Sequence, residues 1–230
     1  MFDFGIMLTD TRSIVGAVPR TLGMALLTFV AATLIGGLFA LIERRRIPVL
    51  RELLVLYKFV FKGVPMVVVI FLSYYGLPSA LHFVGSLVGV SIDAHLLPNW
   101  VILVIAVTAC LAAFQAELVK GALNSFDSGQ AEAANSLGYT GPQLFRRIMF
   151  PQVIVAAIPD LANSVMLIMK ALSLGFAIEV VDIFAQSQLS AALNFFYLQA
   201  FVIAVAIYMV IAYIVTQIAD RTEKALRVRT

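Results

Sequence analysis

Long apolar runs, one after another, leave this chain few ways to fold. They are Leu22–Ile42, Gly63–Phe83, Trp100–Val119, Val153–Phe176 and Ala200–Ile218. About 20 residues of helix cross the hydrocarbon of a bilayer, and each run is close to that length. A composition of 62% hydrophobic and 13% charged residues is too apolar for a soluble domain of 230 residues. In lipid every backbone polar group must be satisfied internally, so the spans must be helices or strands of a closed barrel. The weak alternating pattern of a barrel is absent. The fold class is therefore all-α integral membrane, with about five transmembrane helices in a single domain over residues 1–230. A shorter apolar segment, Ala177–Leu193, is interrupted by Glu179, Asp182, Gln186 and Gln188 and is expected to lie outside the core.

Charge sets the orientation. Glu43-Arg44-Arg45-Arg46 and Arg51 follow the first span, and Lys120, Arg146 and Arg147 sit in the central loop. Arg221, Lys224, Arg227 and Arg229 close the chain, whereas Leu77–Asn99 has no Lys or Arg. The positive-inside rule puts all three basic regions in the cytoplasm, the N-terminus outside and the C-terminus inside. The start of the chain carries Asp3 and Asp10 and no basic cluster, unlike a cleaved signal peptide. Cys110 is alone, so no internal disulfide forms. The pI near 9.1 is accounted for by topology, and no basic stripe with interleaved aromatics suggests nucleic acid.

Several local signals are specific. Gly23, Gly36 and Gly37 with Ala and Thr neighbours suit close helix packing in the first span. Pro48 starts a second helix whose early part, Arg51 to Lys62, is amphipathic and suited to the interface. Lys62-Gly63-Val64-Pro65 allows a bend at the membrane entry, and Tyr74-Tyr75-Gly76-Leu77-Pro78 reads as an exit turn with an aromatic belt. His82, Asp93 and His95 are too scattered for a metal site and read as a solvated loop. The sequence has no Walker A motif, G-x-G-x-x-G motif, H-E-x-x-H motif or Ser/His/Asp grouping, so it is not expected to be an enzyme by itself.

The polar loop over about residues 120–151 carries Glu132-Ala133-Ala134-Asn135-Ser136-Leu137-Gly138, with Pro151 after Ile148-Met149-Phe150. Ala131, Ala133 and Ala134 favour a short helix of little bulk that another protein can approach closely. Gly138 is placed to end that helix in a left-handed conformation, and Pro151 fits the first turn of the next one. With Lys62-Gly63-Val64-Pro65, Glu117 to Gly121, Ser136-Leu137-Gly138 and Lys170 to Leu174, this loop resembles the permease subunits of type I ABC importers, in their polar amino-acid uptake branch. Phe150 before the Pro, Lys62 and Ala171 depart from the commoner residues of that branch.

The resemblance implies that Glu132, Ala133, Ala134, Gly138 and Pro151 form a coupling helix seated on a separate ATP-binding cassette subunit. It implies no cofactor in this chain, with ATP and Mg held by that ATPase. It further implies a second permease subunit, identical or paralogous, an extracytoplasmic substrate-binding protein meeting the outer loops that include Phe176–Phe196, and residence in a bacterial inner membrane.

Polar side chains within a span are costly in lipid and usually face the bundle interior or water. Asp160, Asn163 and Lys170 fall within roughly 80° on one helical face, flanked by Met166 and Leu167. Asp160 and Lys170 supply an acceptor and a donor suited to a zwitterionic amino acid, and Asn163 supplies either. Their separation of about 15 Å along the helix is too long for one amino acid to bridge. Glu117 is expected to pair with Lys120 or Arg147. The rival reading, an ion- or proton-coupled carrier working without an ATPase, predicts inverted repeats that the sequence does not display.

Overall fold

A computed structural model describes residues 4–45, 47–87, 89 and 97–227. Asp3, Arg46, Asp93, His95 and Arg229 lie outside the described residues. The chain runs through α1 (Phe4–Gly16), α2 (Val18–Arg44), α3 (Pro48–Gly63), α4 (Met66–Leu87) and α5 (Asn99–Asn124). Then come α6 (Ser128–Ser136), α7 (Gly141–Leu144), a π-helical turn (Phe145–Met149) and α8 (Phe150–Leu172). A 3-10 turn (Ser173–Ile178), α9 (Ile183–Asn194) and α10 (Tyr197–Arg227) complete it. Among the described residues, five stretches are long and apolar enough to cross a membrane, and each contains one of the runs read from sequence or overlaps most of it.

Lipid tails are as apolar as leucine, so helices in a membrane are held by close contact and polar links. Close contact centres on α5, buried along most of its length against α2, α3, α4 and α8. Leu103, Val107, Ala112, Ala113 and Ala116 of α5 are fully buried. Gly36 lets α2 lie against it: a Cβ there would sit 2.8 Å from the Ala116 nitrogen and 2.9 Å from the Ala112 oxygen. Gly23 and Gly37 have open space beside them, so one glycine of the three carries the packing. Outward-facing Leu26, Leu34, Leu72 and Met209 form an apolar coat suited to acyl chains.

Pro48 occupies the first turn of α3, as expected, and α3 ends at Gly63 with Val64 extended before Pro65. The exit turn expected at Tyr74–Pro78 does not form. Helix α4 continues through Pro78 to Leu87, with His82 on its surface. A proline costs a helix the hydrogen bond to the carbonyl four residues back, a loss the surrounding turns of this long apolar span absorb.

The segment Ala177–Leu193 is also corrected. Rather than lying apart as an outer loop, it includes most of α9, which packs on α1 and α10 and buries Ile183, Ala185, Ser187, Ser190 and Ala191. Its interrupting charge has a structural task. Asp182 is fully buried and caps α9 by accepting from the Ala185 N–H (2.8 Å), and its other oxygen accepts from Ser173 (2.9 Å) and Tyr208 (3.2 Å). The Thr21 hydroxyl of α2 accepts from the Ile183 N–H (3.1 Å). At the far end of α9, Asn194 donates to buried Asp10 of α1 (3.1 Å).

The opposite end is tied by charge. Glu117 of α5 pairs with Lys58 of α3 (2.7 Å), not with Lys120 or Arg147; Lys58 also pairs with Glu43 of α2, which accepts from Lys120 (3.1 Å). Lys58 lies four residues after buried Leu54, on the inner side of α3, which brings it within reach of both carboxylates. Beside it, Tyr57 donates to the Ala109 carbonyl (2.5 Å), and burial pushes its hydroxyl pKa up to about 12, so it stays a donor. Burial by itself would depress the Lys58 ammonium, but hydrogen bonds and attraction from Glu117 and Glu43 outweigh it and raise the pKa above 10.5.

Two outcomes follow for the purified protein in detergent. Gly36→Val drives a branched side chain into α5 backbone and should cost about 1–3 kcal/mol, read as a lowered melting temperature, while Gly37→Ala leaves it unchanged. A raised lysine pKa stabilises fully below the unfolded value and is lost as pH climbs through the folded one. Melting temperature should therefore fall as pH rises beyond 10.5. Lys58→Met, which leaves Glu117 unpaired and Glu43 with Lys120 alone, should lower the melting temperature at neutral pH and flatten that decline. An unchanged alkaline slope in the variant would remove Lys58 as its source.

Candidate functional site

The loop between α5 and α8 builds a compact knob. Asp127 caps α6 by accepting from the Gly129 N–H (2.9 Å). At the other end Gly138 has φ +81, and its N–H donates to Asn135 O (3.0 Å) while the Tyr139 N–H donates to Ala134 O (3.1 Å). This pair of bonds closes a helix with a left-handed residue, so Gly138 ends α6 as its sequence suggested. Glu132 and Ala133 face outward with Asn135, Ser136 and Leu137, the last 79% exposed. Ala134 points the other way and is buried. The small residues thus split between an outward face and a seat on the chain's own helices.

One bond ties α6 to α8: Gln152 donates to Gln130 (2.8 Å), while Ala122, Leu123, Met149, Val153 and Ala157 form a local apolar cluster joining α5 to the start of α8. Pro151 sits in the first turn of α8, as its sequence suggested, although no loop separates α8 from the turns before it. The helical path begins at α7, where the Thr140 N–H donates to Gln143 (2.9 Å), and continues through the π turn into α8. The Phe150 N–H bonds back to Phe145 O, five residues away. A π turn widens the spiral just before the proline, easing the clash its ring would make with the preceding turn.

Beyond Pro151, α8 buries Val155, Ile158, Ile168, Met169 and Leu172 on one side. Asp160, Asn163, Leu167 and Lys170 emerge on the other and are exposed, with Met166 half-buried. The polar stripe expected inside the bundle therefore lies on the surface of this chain, because the inner side of α8 is taken up by α5, α2 and α10. The structure also divides it. Asp160 and Asn163 line a cavity of about 240 Å³ with Phe114, Gln115 and Ser164. Lys170 and Met166 line another of about 560 Å³ with Ser173, Tyr208 and Met209.

Sequence reading missed the polar groups behind each cavity. Buried Gln115 of α5 donates to Ser164 (2.9 Å), and the hydroxyls of Ser173 and Tyr208 are held by Asp182. A buried amide in an apolar span was the available signal for Gln115; Ser173 and Tyr208 look ordinary without the fold. Among the described residues, no cluster of three or more His, Cys, Asp or Glu is arranged to hold a metal ion.

Comparison with known proteins agrees with this architecture. Residues 32–228 match the family described as binding-protein-dependent transport system inner membrane component. The probable amino-acid permease protein YxeN of Bacillus subtilis is 34% identical over 97% of this chain and 96% of its own length. The probable amino-acid ABC transporter permease protein PatM of Vibrio harveyi is 34% identical over 98% and 96%. Among solved structures, an amino acid ABC transporter crystallised with histidines superposes with a TM-score of 0.81 at 25% identity, over 98% of this chain and 99% of that one. The methionine ABC transporter MetNI, facing inward, shares the fold with a TM-score of 0.69 at 17% identity. Nothing in these matches favours a self-sufficient ion-coupled carrier. This chain belongs to the family of inner-membrane permease components of binding-protein-dependent ABC transport systems.

Proposed function

We propose that the chain forms half of the translocation path for a polar amino acid, in an importer whose ATPase docks on α6. One observation carries this reading: the polar stripe Asp160, Asn163 and Lys170 stands exposed on a membrane-spanning face, with a cavity on either side. Such groups are not left against hydrocarbon. A second permease subunit, identical or paralogous, covers that face and encloses a wet path. An ammonium group finds an acceptor in Asp160, a carboxylate finds a donor in Lys170, and Asn163 serves either. The two cavities sit at successive heights along α8, so a substrate meets these groups in sequence. The amino-acid names of the relatives support the substrate class.

The basic residues Arg44, Arg45, Arg51, Lys120, Arg146, Arg147, Arg221 and Lys224 support an orientation with the α6 end in the cytoplasm and the N-terminus outside. ATP and Mg belong to the ATPase, which receives the outward face of α6, including Glu132, Ala133 and Leu137. ATPase closure pushes α6, and the Gln130–Gln152 bond passes the motion to α8. The α9 end faces the extracytoplasmic binding protein. Since α9 is packed into the bundle through Asp182, docking there reaches α8 and α10 directly.

The test is amino-acid uptake and ATP hydrolysis measured together, in proteoliposomes containing the chain with its co-purified ATPase and binding protein. Gly138→Val places a branched residue at φ +81, a strain of about 1–2 kcal/mol at the end of α6. Uptake should fall about tenfold while hydrolysis persists. Asn163→Leu removes a hydrogen bond to a charged substrate, worth about 1.5–3 kcal/mol. It should lower uptake about tenfold or more with the complex intact. Normal coupling in the first variant, or normal kinetics in the second, would refute the corresponding role.

A further inference from the structure

The ends of α2, α3 and α5 enclose a cavity of about 280 Å³ whose walls include Glu43, Arg44, Arg51 and Lys120. Its charge is unbalanced. The carboxylate of Glu43 is already engaged by Lys58 and Lys120. The Arg44 guanidinium reaches only the Met149 sulfur at 3.8 Å, a weak acceptor, and Arg51 has no side-chain partner among the described residues. Two forked cations thus converge on a small space in which no carboxylate among the described lining residues is left to receive them. Planar guanidinium groups in that arrangement suit the oxygens of a phosphate.

The surroundings indicate where such a phosphate comes from. Helix α3 turns Val49, Leu53, Leu56 and Phe59 outward, 57–77% exposed, while Lys58 faces in toward the charged cluster. A helix with that division suits the membrane surface, its apolar side turned to acyl chains. Arg51 sits in its first part, at headgroup level. The cavity is smaller than the usual range for drug-sized ligands, about 300–1,000 Å³, and takes a single phosphate with a small polar substituent.

We propose that this cavity is a binding site for the headgroup of an anionic phospholipid, with Arg44 and Arg51 gripping the phosphate and Lys120 adding charge at the rim. Because Glu43, Lys58, Glu117 and Lys120 join α2, α3 and α5 at the same place, a bound lipid braces these helices together. The cytoplasmic placement of the site rests on the orientation proposed above.

The test is native mass spectrometry of the full chain, titrated with short-chain phosphatidylglycerol, with zwitterionic phosphatidylcholine and with inorganic phosphate. The wild-type chain should retain phosphatidylglycerol over phosphatidylcholine. Arg44→Gln and Arg51→Gln should each weaken phosphatidylglycerol about fivefold without changing phosphatidylcholine. Arg51 is exposed and unpartnered, so its variant leaves the packing untouched and stands as the decisive one if Arg44→Gln proves unstable. Equal retention of phosphatidylglycerol by the wild type and Arg51→Gln overturns the site. Displacement of the lipid by millimolar phosphate would keep the anion site and overturn the lipid as its source. This readout needs neither ATP nor uptake, so a failure of the transport reading would show separately in the proteoliposome assay.

Discussion

Helix α5 can serve as the post of the bundle because α2 comes within backbone contact of it at Gly36. Remove that closeness and the geometry changes outward from it: Gln115, whose Cβ lies 2.6 Å from where a Gly36 Cβ would sit, also reaches Ser164 of α8. Helices α2, α5 and α8 are therefore linked through a few residues around one small glycine. With no hydrophobic force between helices in lipid, van der Waals contact of this kind and the polar links it permits carry the tertiary structure. The apolar residues that dominate the composition mostly face outward, where they match the solvent and do not select a partner.

The polar links gather at the two ends. Toward α6, two carboxylates and two lysines bind α2, α3 and α5. Toward α9, Asp182 gathers Ser173 and Tyr208 while Thr21 takes the Ile183 N–H, joining α2, α8, α9 and α10. The spans between are tied by few such bonds, and α4 is mostly exposed. Between the two clusters the backbone contact at Gly36 and the Gln115–Ser164 bond are the links that join α2, α5 and α8.

How much of this was legible depends on whether the signal was local. Span positions were readable because length and polarity alone decide them, and Pro48 and Gly138 were readable because a helix start accepts proline and φ +81 favours glycine. Pro78 misled because a proline announces a lost donor but not whether the helix tolerates it, and here a long span does. Segment Ala177–Leu193 was misplaced because an aspartate in an apolar stretch reads as solvent-facing until Ser173 and Tyr208 are brought to it by folding. The pairing of Glu117 was anticipated, but its partner Lys58 lies 59 residues away, beyond any local pattern. The polar stripe of α8 was found by helical periodicity, whereas its position on the outside required knowing which side the neighbours cover.

That outside position bears on how specificity can arise. Asp160 with Asn163 and Lys170 with Met166 belong to different cavities, one against α5 and the other against α10. A small zwitterion held at one level does not touch the charged group of the other, given about 15 Å along the helix axis. Strong binding at both ends of the substrate in a single site would in any case slow release, whereas partial contacts in succession keep each step shallow. For the path proposed above, this geometry offers complementary charge at two separate levels and no single tight cage.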